Sequence, residues 1–278
     1  MQLYRKTNQQ IAALVTKNYS SSFYLSTLLF DKKTRDAIFG VYGFVRYADE
    51  IVDTFEGHDK EYLLLKFEKD LKEALNQKIS LNPILDAFQT TVNKFDIPYN
   101  YIDAFLSSMK MDLGKKLYLS KNETEQYVYG SANVVGLMCL KVFCNENHAL
   151  FDQLLKPAEM LGSAFQKVNF LRDLKADTEE LDRFYFSNFD KQNFTEAAKN
   201  ELIAEIENEF AIAYQGILHL PGRSKLAVLT AYKYYLSLLR KIKRTDAASI
   251  LKKRIRISNA HKLLLMAKAA IQYKLNLL

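Results

Sequence analysis

Apolar residues recur three and four positions apart in segment after segment of this 278-residue chain, a helical signature. The pattern predicts helices near 7–18, 32–54, 60–76, 83–94, 99–110, 123–144, 149–178, 194–218, 223–244 and 260–275, and no strands. Only four prolines and nine glycines interrupt it. Asn82-Pro83, Asp96-Ile97-Pro98, Lys156-Pro157 and Leu220-Pro221-Gly222 mark turns or kinks. No Gly-, Ser- or Pro-rich linker divides the chain, and no low-complexity tract or short repeat stands out. The expectation is an all-α bundle, one domain spanning 1–278.

Two of these segments carry aspartates where an ordinary core helix has none. At 100° per residue Asp53 falls about 40° from Asp49, with Arg46 and Tyr42 on the same face. Phe44, Tyr47, Ala48, Ile51 and Val52 cover the other directions. The second segment repeats the design: Gln166, Asn169, Asp173 and Asp177 lie within about 80° of one another, backed by Phe165, Val168, Phe170 and Leu171. Carboxylates four residues apart repel each other and are costly to desolvate, so they persist in such settings with a cation between them or a wet cavity in front. Two such stripes suggest facing walls of one cavity in a helix bundle.

Composition narrows the class. The chain is 49% hydrophobic and 26% charged, enough to bury a large core. The longest uncharged run, 126–140, is interrupted by Ser131 and Asn133 and falls short of the ~20 apolar residues a membrane-spanning helix requires. The first ten residues, with Arg5 and Lys6, do not lead into a signal-peptide core, so a cytoplasmic location is expected. Cys139 and Cys144, five apart in an apolar stretch, read as reduced core thiols.

Charge is concentrated in one place. Segment 240–256 holds eight basic residues and one acid, a balance equal to the whole net charge of +7. Two readings stay open for it: a phosphate-gathering rim, or a surface resting on anionic lipid at the inner face of a membrane. Nucleic acid fits poorly, because no aromatics interleave the patch and no DNA-binding spacing accompanies it.

Paired carboxylates without nearby histidine make a hard oxygen site suited to Mg²⁺, with Mn²⁺ as a substitute. The four histidines, His58, His148, His219 and His261, are scattered, and no Glu-x-x-His occurs, which argues against a di-iron bundle. Mg²⁺ held by a few carboxylates shares its remaining coordination with water and substrate phosphate, so the substrate should carry diphosphate. No GxxxxGK[ST] or GxGxxG is present.

At these residues the chain resembles the squalene and phytoene synthases of the isoprenoid synthase fold. Arg46 leading into Asp49-Glu50-Ile51-Val52-Asp53 is similar to that family's first aspartate-rich motif. Gln166-Lys167-Val168-Asn169-Phe170-Leu171-Arg172-Asp173, continued to Asp177 and then Arg183-Phe184-Tyr185, resembles the second. Ser20-Ser21-Ser22-Phe23 resembles an early S-x-S-F segment. Tyr129-Gly130-Ser131-Ala132-Asn133-Val134-Val135-Gly136 resembles Y-x-x-A-x-x-V-G.

The resemblance implies head-to-head condensation of two prenyl diphosphates through a cyclopropylcarbinyl diphosphate. Asp49, Asp53, Asn169, Asp173 and Asp177 would hold Mg²⁺, and Arg46, Arg183 and Arg254 would grip diphosphate oxygens. Tyr129, Tyr185 and Tyr235 would line the diphosphate end, with Ser20, Ser22, Phe23 and Gln166 completing the substrate site. Phytoene from two geranylgeranyl diphosphates, with no NADPH, is the preferred product. The alternatives are dehydrosqualene or squalene from farnesyl diphosphate and, in another class, a non-catalytic assembly factor. Chain length and oligomeric state are left open.

Overall fold

The computed structural model describes residues 1–114, 120–179, 185–186 and 194–275, without the side chain of Asp177. Every regular element among them is helical: α1 (Gln2–Tyr19), α2 (Ser21–Thr27), α3 (Lys32–Asp53), α4 (Lys60–Gln77), α5 (Pro83–Phe95), α6 (Tyr99–Gly114), α7 (Lys121–Val128), a π-helical turn (Tyr129–Asn133), α8 (Val134–Cys144), α9 (His148–Glu179), α10 (Glu196–His219), α11 (Gly222–Lys243), α12 (Ala247–Ile250) and α13 (Asn259–Lys274). The described residues form an all-α bundle, the class that the periodicity predicts.

Local chemistry sets the helix ends. Asp31, Asp59 and Ser258 each accept the N–H three residues on, while Asn82 caps α5 with Pro83 at the first helical position. At the other ends Lys78 and Asp96 turn left-handed and stop α4 and α5. The helix expected over 149–178 is α9, which runs through Pro157. Three elements differ from the periodicity reading. The expected helix over 123–144 is divided by the π turn, and α2 and α12 were too short to show a period.

The core joins both halves of the chain. Phe44 of α3 stacks on Phe88 of α5 with ring centroids 4.0 Å apart and meets Phe67 and Phe105 on two further helices. α9 packs against α8 and α10. Its close approach to the chain before α8 depends on Gly162, where a Cβ would come within 2.7 Å of the Ala132 carbonyl oxygen. α9 is pinned to α10 by a buried ion pair, Lys167 to Glu209 at 2.5 Å, with Ser163 donating to the same carboxylate at 2.8 Å. The run from Lys121 to Cys144 is long and apolar enough to cross a membrane, but half of its apolar window is buried inside the bundle.

Candidate active site

α3 and α9 are two walls of one cavity of about 460 Å³, with α2, α8, α10 and α11 also contributing to its lining. Both walls change character along their length. Toward its N-terminal half α3 supplies Ile38 and Val41, then Tyr42, Arg46 and Asp49; α9 supplies Leu154 and Leu161, then Gln166, Asn169 and Arg172. The cavity thus has a polar lining from the C-terminal halves of both helices and an apolar one from their N-terminal halves. Phe30 stacked on Phe143 at 5.2 Å contributes to the apolar part.

Asp49 is the most perturbed carboxyl here. Desolvation, the Asp53 charge one turn on, and Asp112 and Glu50 push its pKa up to about 7 against the pull of Arg46. The 31% of its side chain that remains accessible opens onto the cavity. Arg46 pairs with Glu50, lies 3.9 Å from Asp49, and has its guanidinium over the Tyr19 ring at 4.4 Å. On the opposite wall Asp173 is held by Arg172 at 2.5 Å and by Arg254 Nε at 2.6 Å. Arg254 comes from the chain between α12 and α13, and lines the cavity.

A polar seam links the walls. Tyr235 of α11 donates to Asn169 Oδ1 at 3.3 Å, Asn169 donates to Gln166 at 3.4 Å, and Gln166 donates to Ser131 at 3.2 Å. The Tyr235 ring stacks on Phe165 at 3.9 Å and that of Tyr42 on Phe23 at 4.9 Å. Burial lifts the Tyr42 phenol to about 12; Arg46 and a Ser20 hydrogen bond oppose the rise, while Asp49 and Tyr235 reinforce it. Deeper in the lining lies Cys139, whose thiol burial pushes up to about 12.

Of the residues singled out from the sequence, Ser20, Phe23, Arg46 and Asp49 line the cavity from one side, and Gln166, Asn169, Tyr235 and Arg254 from the other. Ser20 also caps α2, accepting the Phe23 N–H at 3.3 Å. Asp53 and Asp173 stand next to the lining without forming part of it, and Ser22 does not line it. Tyr185 is buried against Phe170 and Tyr127, at 4.1 and 5.2 Å. Tyr129 is set apart: it sits in the π turn, 38% exposed, near enough to Tyr101 to reinforce the rise that burial gives that phenol. Arg183 lies outside the described residues, as does the side chain of Asp177.

Sequence reasoning passed over Tyr19, Ser131, Arg172 and Asp112. Ser131 and Arg172 stood inside the quoted motifs without a role. Asp112 on α6 belongs to no motif; its carboxylate accepts the Tyr127 hydroxyl at 2.8 Å, and only the fold brings it near Asp49.

Among the described residues no group of three or more His, Cys, Asp or Glu side chains is gathered tightly enough to hold a metal ion. The donor types nevertheless suit one. Asp49, Asp53, Asn169 and Asp173 offer only oxygen, and the elevated Asp49 pKa marks a carboxylate short of positive charge, the deficiency a divalent cation corrects.

Residues 16–261 match the squalene/phytoene synthase family. The chain belongs to that family, and is a prenyl-transferring enzyme. It is 28% identical over 240 residues to the 15-cis-phytoene synthase of Pantoea ananas, covering 78% of this chain and 76% of that one. With the chloroplastic phytoene synthase of an Oncidium hybrid cultivar it shares 30% identity over 268 residues, 90% of this chain and 64% of that protein. In fold it resembles the crystal structure of a dehydrosqualene synthase in complex with ligand, with a TM-score of 0.82, 22% identity and 98% coverage of both chains.

Proposed function

We propose that this protein is a phytoene synthase, condensing two geranylgeranyl diphosphates head to head, through a cyclopropylcarbinyl diphosphate, to phytoene and diphosphate. The observation that carries the reading is the cavity itself, which gathers Asp49, Arg46, Asn169, Arg172 and Arg254 into a polar lining and adjoins it with aliphatic and aromatic side chains. The sequence relatives named phytoene synthase support the choice of product.

Asp49, Asp53, Asn169, Asp173 and Asp177 would hold Mg²⁺ or Mn²⁺, and bound metal supplies Lewis-acid neutralisation of the departing diphosphate. The chain's own groups do the rest. Arg46, Arg172 and Arg254 present guanidinium forks to diphosphate oxygens, which requires Arg254 to share or release Asp173. The Tyr235–Asn169–Gln166–Ser131 seam fixes side-chain orientation between the walls. Phe23, Tyr42 and Phe165 line the cavity, where their rings would stabilise carbocation charge. The apolar part of the cavity excludes water and folds the isoprenoid tails until proton loss ends the sequence. No reductant is needed.

The test is incubation of purified protein with Mg²⁺ and farnesyl or geranylgeranyl diphosphate, with and without NADPH, followed by identification of the hydrocarbon. Phytoene from the C20 substrate without NADPH is expected, abolished in Asp49→Asn and Asp173→Asn proteins that keep their helical spectra. Turnover confined to farnesyl diphosphate assigns dehydrosqualene or squalene synthesis instead, and no turnover of either substrate points to the assembly-factor class.

A further inference from the structure

The fold divides the basic segment 240–256 into parts with different destinations. Arg254 turns to Asp173 and the reaction cavity, and Lys243 pairs with Glu207 at 2.8 Å. Arg240, Lys241 and Arg244 turn the other way, into a groove of about 710 Å³ between α11 and α13. There they are joined by Lys233, and by His261 and Lys268 of α13. Helix geometry keeps the two spaces separate. Ala227, Val228, Ala231 and Tyr235 face the reaction cavity, while Lys233, Ser237, Arg240 and Arg244 lie roughly on the opposite side of the same α11 cylinder.

Five permanent cations around one groove repel one another, and no carboxylate lines it. Among the described residues Lys233, Arg240, Arg244 and Lys268 form no ion pair, and Lys241 donates only to the Arg256 carbonyl at 2.6 Å. Basic residues in the last turn of α11 complement its C-terminal dipole, but Lys233 and Lys268 sit mid-helix, where that explanation does not reach. Burial, Arg240 and Lys268 together lower the pKa of Lys233, as unneutralised charge requires. Neutral donors complete the lining: Ser237 hydrogen-bonds His261 Nε2 at 2.9 Å, and Ser258 begins α13, whose N-terminus adds positive potential.

We propose that this groove is a second anion site, distinct from the reaction cavity, that takes a phosphate or diphosphate group. Two guanidinium forks, three ammonium groups and hydroxyl donors match multivalent phosphate oxygens in number and geometry. The phosphate can arrive free or on a membrane lipid. Leu264 and Ile271 of α13, 52% and 56% exposed, lie close in angle to Lys268 and would meet the acyl region if a lipid carries it.

The experiment uses the full chain in phosphate-free buffer without Mg²⁺, so that no metal-assisted diphosphate binding takes place at the aspartates. One arm titrates inorganic diphosphate by calorimetry; the other floats the protein with vesicles containing phosphatidylglycerol or phosphatidylcholine alone. The expected result is binding in at least one arm, weakened tenfold or more in R240Q/R244Q/K268Q. K252Q/K253Q, with two charges removed outside the groove, should bind at least fivefold more tightly than the triple variant. Binding of diphosphate alone identifies a free ligand, and binding of anionic vesicles alone a lipid. Because the readout is binding, it is independent of which hydrocarbon the enzyme makes. Failure of the parent in both arms overturns the site, as does equal binding by the triple variant or an equal loss in K252Q/K253Q.

Discussion

Replacing Asp49 with asparagine should make the metal-free protein more stable at pH 8, and by only about a third as much at pH 5. Asp49 titrates near 7 in the folded chain against 3.8 for a free carboxyl. Between those values the native state holds a proton that the unfolded chain has released, so stability falls as pH rises through this window and is flat above it. Each pH unit of the window costs the native state at most about 1.4 kcal/mol, an upper bound of about 4 kcal/mol across it. Nearly a third of the side chain opens onto the cavity, where solvent screens the charge, which reduces the expected penalty to roughly 1–2 kcal/mol. Asparagine keeps the shape and removes the charge. Chemical denaturation with a chelator present, at pH 5 and pH 8, reads the difference directly. With Mg²⁺ and diphosphate added at pH 8 the order should reverse, since ligand binding stabilises only the protein that binds it. A pH-independent difference, or an asparagine variant less stable than the parent at pH 8, would refute the reasoning.

Gly162→Ala places a methyl 2.7 Å from the Ala132 carbonyl oxygen and should cost about 1–3 kcal/mol in urea denaturation. Gly114→Ala, which meets nothing within 4 Å, should be neutral or stabilising by up to about 1 kcal/mol. Tyr235→Phe keeps the stack on Phe165 and loses only the hydrogen bond to Asn169; kcat should drop about three- to tenfold, the equivalent of about 0.5–1.5 kcal/mol, with the melting temperature within two degrees of the parent.

The long helices and both aspartate stripes were legible because each rests on a local rule: a 3.6-residue period and side chains one turn apart. The π turn at 129–133 was not, since it depends on tertiary packing around Gly130, where a Cβ would meet Ser108 and the Ala104 carbonyl on α6. Asp112 was invisible for the same reason. It is one of two acids on an otherwise ordinary helix, made relevant by the crossing of α6 with α3. The resemblance had set Arg254 apart from the rest of the basic run, but that Arg240 and Arg244 enter a separate groove shows only in the path of the chain around α12.

The thiol of Cys139 shows what dryness would do for the proposed condensation, in which a carbocation forms inside the cavity. Such an electrophile is trapped by nucleophiles within reach, and a thiolate is a far stronger one than the protonated thiol. The environment that keeps water from the reacting carbon also keeps the sulfur protonated, with its pKa up at about 12. In the proposed reaction, keeping water from the intermediate and keeping the sulfur in its less reactive form would be one property of the same wall. A polar substitution beside Cys139 that admitted water would put both at risk, and the damage would show as inactivation that accumulates with each turnover.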